Sequence, residues 1–568
     1  KGSIGTVATS IFLVIPNKSK SYSILNKVSA NATSNVVMMR VAGNAGVTLT
    51  RSSTLFQHVV CDGTSVRNVT QGEPTFSTLE VTGAATFDST VTVSGASSYV
   101  GAATFYNTVT VVGNAVFAGD IQKKTAGTSN FAAGVNAGNS IESGGNYNVV
   151  IGDEAGTAIT TGDNNVAVGF NCLDANTTGA RNVAIGSQAL STNTTGASNT
   201  GVGMGVLNQN TTGSTNVAIG DLCLDANTTA SNNTGVGYAS LSDNTTGASN
   251  TAVGRAALFD NTTGSNNSAF GYATLAALTT GSNNTAVGLE ALLVNTTGVN
   301  NVAVGKGAGL AMTTAVSNTC IGSEAGAGLT TGGENVFVGN RAGVGFTTGS
   351  QNNIMGDNAC ANGTITGGNN VVIGDNSAYA ATGAFASNTL IGGNNSNAIT
   401  TGTNNLFLGK GAGNSGSPGG SITTESHHII LGDENITNAH IQVDWTVASD
   451  KRDKTEVTPL VMGLDFINKL EPVTYRWDKR SKYSKDQDVT PDGTHKEEQL
   501  DVGFLAQDVE ELEKEYGFNF EDKTNLMTNI SEGEKMYGLK YSKFVPALVK
   551  AVQELTAKVT ELEDKLNG

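Results

Sequence analysis

Six consecutive residues, Ser449-Asp450-Lys451-Arg452-Asp453-Lys454, put a hydroxyl and two amines into one short segment. A serine hydroxyl attacks a carbonyl only when a base takes its proton. A lysine is such a base only when desolvation or neighbouring positive charge weakens its hold on its own proton. Lys451 and Arg452 are the charges at hand for Lys454. Spacing alone does not join Ser449 to Lys454. Five residues at about 100° each leave them roughly 140° apart on a helix, and on a strand they point to opposite faces. A turn must bring them together, which would tie any reaction to folding. On its own the hexapeptide reads as a solvated charged linker.

The elements that would position this pair lie downstream. From Ser449 to Gly568, 43 of 120 residues are charged, against 14% for the whole chain. Helical periodicity runs over 460–470 and 509–516. The last helix places Leu548, Val552, Leu555, Val559, Leu562 and Leu566 at steps of 4, 3, 4, 3 and 4, an a/d heptad seam. Val at a with Leu at d favours two strands, but over about three heptads the tertiary context is expected to decide.

Three further motifs follow the hexapeptide in order. They are Leu470-Glu471-Pro472-Val473-Thr474-Tyr475-Arg476-Trp477, Val502-Gly503-Phe504-Leu505-Ala506-Gln507-Asp508-Val509-Glu510, and Tyr537-Gly538-Leu539-Lys540-Tyr541-Ser542-Lys543-Phe544. Together the four resemble the autoproteolytic intramolecular chaperone domain of endosialidase-type phage tailspikes and fibres, over residues 449–568. Glu511-Leu512-Glu513-Lys514 stands where that family often has a proline. The resemblance implies a domain that trimerises, guides an upstream β-fibre into register and is released by a cut before its serine. Carried onto this chain, it makes Ser449 the nucleophile, Lys454 the base and Ala448–Ser449 the scissile bond. Trimer closure would supply the burial that the base needs.

Upstream, the motif Asn-x-Ala-Val-Gly and its variants recur with a fixed period. From Gly152 to Gly356 the motif glycines step by 17 residues, since 356 minus 152 is 12 times 17. Looser copies end at Gly374, Gly392, Gly409 and Gly432, and Thr-Thr-Gly keeps the same beat (Thr177-Thr178-Gly179, Thr194-Thr195-Gly196). Fixed phase over so many copies indicates a solenoid. In Asn165-Val166-Ala167-Val168-Gly169, alternation puts Val166 and Val168 on one face and Asn165, Ala167 and Gly169 on the other. A leucine four residues after the motif glycine (Leu173, Leu190, Leu207) adds a larger core group, and later coils replace it with glycine (Gly309, Gly326). With faces so small, a single chain is expected to be unable to bury them, so that three chains wind together.

The asparagine before each strand is placed to stack on its equivalents in a side-chain amide ladder. About seventeen coils at ~4.8 Å make a rod on the order of 80 Å long. The motif Asn182-Val183-Ala184-Ile185-Gly186 also resembles the head repeat of trimeric autotransporter adhesins, which are left-handed parallel β-rolls. The period here is longer by roughly the Thr-Thr-Gly insertion.

Residues 1–72 read as a small β domain of short strands. Residues 73–128 read as a β-structured shaft, similar to those of viral tail fibres, in which Ala85-Thr86-Phe87 recurs 18 residues on as Ala103-Thr104-Phe105. The expected architecture is therefore mainly β. It continues with a repeat solenoid over 129–432, a linker over 433–448, and an α+β chaperone domain over 449–568 ending in a coiled-coil helix. The chain opens on Lys1 rather than Met, so an upstream segment is expected.

Other chemistry is thin. With 32 Lys+Arg against 48 Asp+Glu, the acidic balance argues against nucleic acid as a partner. No apolar run approaches the ~20 residues of a membrane span. Cys61, Cys172, Cys223, Cys320 and Cys360 lack metal-ligand spacing, and Cys172 and Cys223 sit where small buried fillers belong. Asp486-Gln487-Asp488 with Asp492-Gly493 breaks the calcium-loop spacing. His427, His428 and His440 lack a further ligand and are expected to cap the rod, so neither metal nor cofactor is expected. Asp153-Glu154 and Asp433-Glu434 are adjacent pairs, whose side chains point apart, a poor arrangement for glycoside cleavage.

The sequence thus reads as a homotrimeric viral tail fibre or spike. It would be exposed on the virion, joined to other tail proteins, and would bind a host-surface glycan or protein receptor. Single-turnover self-cleavage would be its one reaction. The alternatives are a tailspike depolymerase acting on surface glycans and a cellular trimeric surface adhesin.

Overall fold

The computed structural model describes residues 126–418, 420–442, 446–483, 489–530 and 536–568, and before residue 126 only the backbones of eleven short strands. The chain forms two units, 1–121 and 122–568. In the first, Ser10–Ile15 runs parallel to Asn35–Arg40, which pairs antiparallel with Gly46–Leu49, and that strand with Leu79–Val81. Ala85–Phe87 lies parallel to Ala103–Phe105 and Val91–Ser94 to Val109–Val112. The 18-residue displacement seen in the sequence is thus the pairing register, with Ala85 facing Ala103. The packing of the side chains of that segment lies outside the described residues.

In the second unit each repeat contributes one three-residue strand. Eighteen such strands, from Phe131–Ala133 to Ile429–Leu431, stack in chain order as one parallel sheet. Register is strict: Val166 faces Val183, Ala167 faces Ala184 and Val168 faces Ile185. The glycine after each strand is demanded by the stack. Gly237 has φ +134°, and a Cβ there would lie 2.6 Å from the carbonyl oxygen of Gly254 in the next coil. No side chain fits that approach.

The second strand residue points inward. Ala167, Ala184, Ala218 and Ala252 are fully buried, as are Leu173, Leu190, Leu207 and Leu224, which fill the coil from the opposite wall. This corrects the expectation that one chain cannot bury its small faces. The coil is narrow, so an alanine on one wall and a leucine on the other close it without a partner. Cys172, Cys223, Cys320 and Cys360 are buried free thiols in the same core.

The leucine adopts a left-handed backbone (Leu173 φ 53°, Leu190 φ 52°), which glycine shares in other coils (Gly326 φ 60°, Gly343 φ 67°). Where the position is glycine, the seventh residue after the motif glycine becomes large: Ile159, Met312, Leu329 and Phe346 take the place that Asn176, Asn193 and Asn210 hold in leucine coils. A Cβ on Gly343 would lie 2.4 Å from the ring of Phe337, which stacks on Phe346 at 5.4 Å. Core volume is therefore supplied from either of two positions.

Buried amides tie one coil to the next. The backbone N–H of Asn182 donates to Asn165 Oδ1 (2.9 Å), and its Nδ2 donates to the Gly196 carbonyl (2.9 Å). A second ladder runs through the Asn-Thr-Thr-Gly turn, where Asn193 Nδ2 donates to Asn176 Oδ1 (2.9 Å) and to the Gly196 carbonyl (3.0 Å). Each such bond contributes about 1 kcal/mol net, but a buried partner left unpaired costs about 1–3 kcal/mol. The ladders therefore act mainly by forbidding other residues.

Beyond the solenoid the fold becomes α+β. Helix α1 (Leu464–Lys469), α2 (Ala506–Glu515) and α3 (Phe544–Asn567) surround two antiparallel pairs, Val473–Tyr475 with Asp501–Gly503 and Thr528–Ile530 with Tyr537–Leu539. Met462, Phe466, Val509, Leu512, Met527 and Phe544 form the core. Glu554 on α3 accepts from the Leu464 N–H (2.8 Å) at the start of α1, which has no side-chain cap of its own. Past Ala551, α3 leaves this core. Leu548, Val552, Leu555, Val559, Leu562 and Leu566 are 45% to 84% exposed, so the heptad seam is bare in the single chain.

Candidate functional site

The hexapeptide folds on itself because of Asp450. Lys451–Asp453 makes one 3-10 turn, and Asp450 caps its start by accepting from the Arg452 N–H (2.9 Å). The same carboxylate takes the Arg452 guanidinium at 2.6 Å. The turn reverses the chain, and Lys454 Nζ comes to 2.6 Å from Ser449 Oγ and 3.3 Å from the Ser449 carbonyl oxygen. The two residues that spacing alone left apart are in contact.

The electrostatics differ from the sequence expectation in one respect. Arg452 does not turn its charge on Lys454 but binds Asp450, and these hydrogen bonds hold the Asp450 carboxyl below the usual carboxylate range. Ser449 and Lys454 are both exposed, as is the whole stretch 446–459. The ammonium donates to the hydroxyl in this arrangement; proton abstraction needs the same contact with the amine neutral. The start of the linker is tied to the following domain, where Lys479 Nζ donates to the Glu434 carbonyl (2.7 Å) and Lys482 Nζ to Asn435 Oδ1 (2.7 Å).

One residue of consequence escaped the sequence reading. Glu513 on α2 is 1% exposed, and its carboxylate accepts from the N–H groups of Leu526 (2.8 Å), Met527 (2.6 Å) and Thr528 (3.1 Å). It orders the segment leading into the second strand pair. The signal was there: Val509, Leu512, Glu513 and Tyr516 share one helical face, so an acid sits inside an apolar stripe.

The remaining candidates serve structure. Asp153 Oδ1 accepts from the Val135 N–H (3.0 Å) and Glu154 Oε1 from Asn136 Nδ2 (2.7 Å), stapling one coil to the one before. Asp433 accepts from the N–H and side-chain amide of Asn435. His427 Nδ1 lies 2.9 Å from Asn404 Nδ2, and the His428 N–H donates to Asn405 Oδ1 (2.9 Å), which extends the asparagine ladder into the last coil. His440 is exposed. Asp486 and Asp488 lie outside the described residues, and Asp492 closes a short turn with the Thr494 N–H (2.9 Å). Among the described residues no group of His, Cys, Asp and Glu could hold a metal ion, and no helix is long and apolar enough to cross a membrane.

No curated protein and no solved structure matches the chain. A family match does exist, over residues 449–518, to Peptidase_S74, described as Chaperone of endosialidase. It begins at Ser449 and takes in the first three motifs; the strand at Tyr537 and helix α3 follow it. Residues 449–518 of this chain thus match the endosialidase-chaperone family, and they follow a long parallel β-solenoid.

Proposed function

We propose that the chain is the precursor of a homotrimeric phage tail fibre or tailspike whose solenoid is the mature rod and whose C-terminal domain assembles it and is then cut away. The observation that carries this reading is the 2.6 Å contact between Lys454 Nζ and Ser449 Oγ, at the first residue of the chaperone-family match. Ser449 Oγ attacks the carbonyl carbon of Ala448 through a five-membered ring, and Lys454 takes the hydroxyl proton. The C–N bond breaks as that proton passes to the departing Ser449 amine. Water then hydrolyses the Ala448 ester.

The exposed dyad has the geometry for this but not the burial. A lysine becomes a base by desolvation or nearby positive charge, and the desolvation is assigned here to neighbouring subunits. Cleavage thereby waits for assembly. The bare seam on α3 supports the same order of events, since three such helices can bury it only on one another. The rod, displayed on the virion and joined to other tail proteins, binds a host-surface glycan or protein receptor.

Mass analysis of the expressed protein under denaturing conditions tests the chemistry. The wild-type chain is expected to yield a fragment beginning at Ser449, and Ser449→Ala to remain full length. Lys454→Arg keeps the charge but cannot act as a base, so it should also remain full length while still forming trimers. Cleavage in Lys454→Arg would exclude Lys454 as the base.

A further inference from the structure

The outward face of the solenoid sheet carries a regularity that the coil itself does not need. The seventeen strands from Val149–Ile151 to Ile429–Leu431 are seventeen versions of one site, and the variation at each position reports its surroundings. The residue after the motif glycine is occupied by Asp153, Phe170, Ser187, Asp221, Arg255 and Lys306 in different coils, as a solvent position would be. The third strand residue is also accessible in the single chain: Ile219 is 42% exposed and Ile185 39%. Yet it is apolar in all seventeen strands, as Val, Ile, Phe, Met or Leu.

Strand propensity does not explain this, because threonine forms strands as readily as valine. The first strand residue, on the same face, is polar in eight of the same seventeen strands, Thr200, Thr234 and Thr251 among them. Freedom among apolar shapes with exclusion of every polar one is the behaviour of a buried position. Something outside the coil must cover it.

We infer that this third-residue column is the surface on which copies of the chain pack against one another along the rod. The inference rests on the trimeric reading above and gives it a face. The column is unbroken over the whole sheet, so its occupant must keep step with a ~4.8 Å repeat over roughly 80 Å. A second copy of the same solenoid does so by construction. The first and third strand residues include no charge in any of the seventeen strands, which suits sheet against sheet. At on the order of 60 Å² for each part-exposed side chain, the column offers roughly 1,000 Å² per chain, above the ~800 Å² per partner of a standard interface.

Thiol labelling of the full-length assembled protein tests this. In a Cys61→Ser background the four other native cysteines are buried and serve as silent internal controls. Ile219→Cys and Val287→Cys sample the third-residue column, and Asp221→Cys and Ser187→Cys the neighbouring solvent column. Light scattering reports the oligomer in parallel. The expected result is a trimer in which the first pair reacts with a maleimide about tenfold or more slowly than the second, the difference vanishing on thermal dissociation. A variant of the first pair that gives a β-rich monomer where the parent is a trimer also supports the face. A trimer in which all four thiols react alike overturns the face and leaves the assembly standing. A monomeric parent overturns both.

Discussion

At the residue scale the solenoid solves one packing problem in two ways. A leucine four residues after the motif glycine fills the coil but must hold a left-handed backbone, at a cost of about 1 kcal/mol or more for a residue with a Cβ. Glycine removes that strain and leaves a hole, which a larger residue at the seventh position fills. Asn261 is the place to test the exchange: its Nδ2 bonds Asn244 Oδ1 (2.8 Å), but its own Oδ1 has no partner, because the next coil has Leu278 at that position. Leu258→Gly alone is expected to cost about 3–5 kcal/mol, as a core cavity does. Adding Asn261→Leu should restore most of it, a strong coupling between neighbours. Thermal midpoints taken at one heating rate would report this; two independent, additive losses would mean the positions do not share a core. The exchange was only half legible in the sequence. The leucine-to-glycine change stood out, whereas its compensation three residues later was hidden among turn residues whose polarity looked like ordinary loop chemistry.

At the element scale, the alternation in Asn165-Val166-Ala167-Val168-Gly169 revealed two faces but not which one was inside. Period alone never decides that; the leucine reaching from the opposite wall does, and its direction depends on a left-handed turn the sequence does not advertise. The Ser449–Lys454 contact could not be read from spacing for a similar reason, since it depends on the Asp450 cap; only the family resemblance named the pair. The rod and the C-terminal domain also differ in how they should answer acid. Burial raises the carboxyl pKa values of Asp174, Asp225 and Asp260 in the solenoid. A raised carboxyl binds its proton more readily folded than unfolded, so its contribution to stability grows as pH falls toward the carboxylate range. In the C-terminal domain the Tyr516 hydroxyl and Lys469 lower Asp465, and the Leu464 N–H and Lys550 lower Glu554. Their contribution is present above the unfolded value and is lost as pH falls through the lowered one. Calorimetry on uncleaved Ser449→Ala protein between about pH 6 and about pH 2.5 is expected to show the C-terminal transition moving down while the rod transition holds or rises. Both moving down together would count against these assignments.

At the scale of the whole molecule the question is what sets the phase between chains. Within one chain it is settled by connectivity, because each coil is followed by the next and Val166 has no neighbour but Val149 and Val183. Between chains nothing comparable exists. Sliding one rod past another by a single repeat restores nearly every contact of the third-residue column and loses one coil at the end. At ~60 Å² and about 25 cal/mol per Å² that loss is roughly 1.5 kcal/mol per chain, a small gap for so long a structure. A non-repetitive domain that associates first would remove the ambiguity, and the bare seam of α3 with the distinct core around Phe466 and Phe544 supplies the exposed apolar surface and the lack of repeats that such a role requires. Removing residues 449–568 is therefore expected to leave chains that still form coils but associate out of phase, giving aggregates or rods of unequal length by light scattering and electron microscopy. Substituting Val552→Asp and Leu555→Asp in the full chain should act in the same direction with every residue of the rod intact, and on the proposed assembly-gated cleavage should also leave the Ala448–Ser449 bond uncut. Uniform, soluble trimers from the truncated chain would show that the rod carries its own phase information, with irregular members of the column such as Phe270 and Met355 as the first places to look for it.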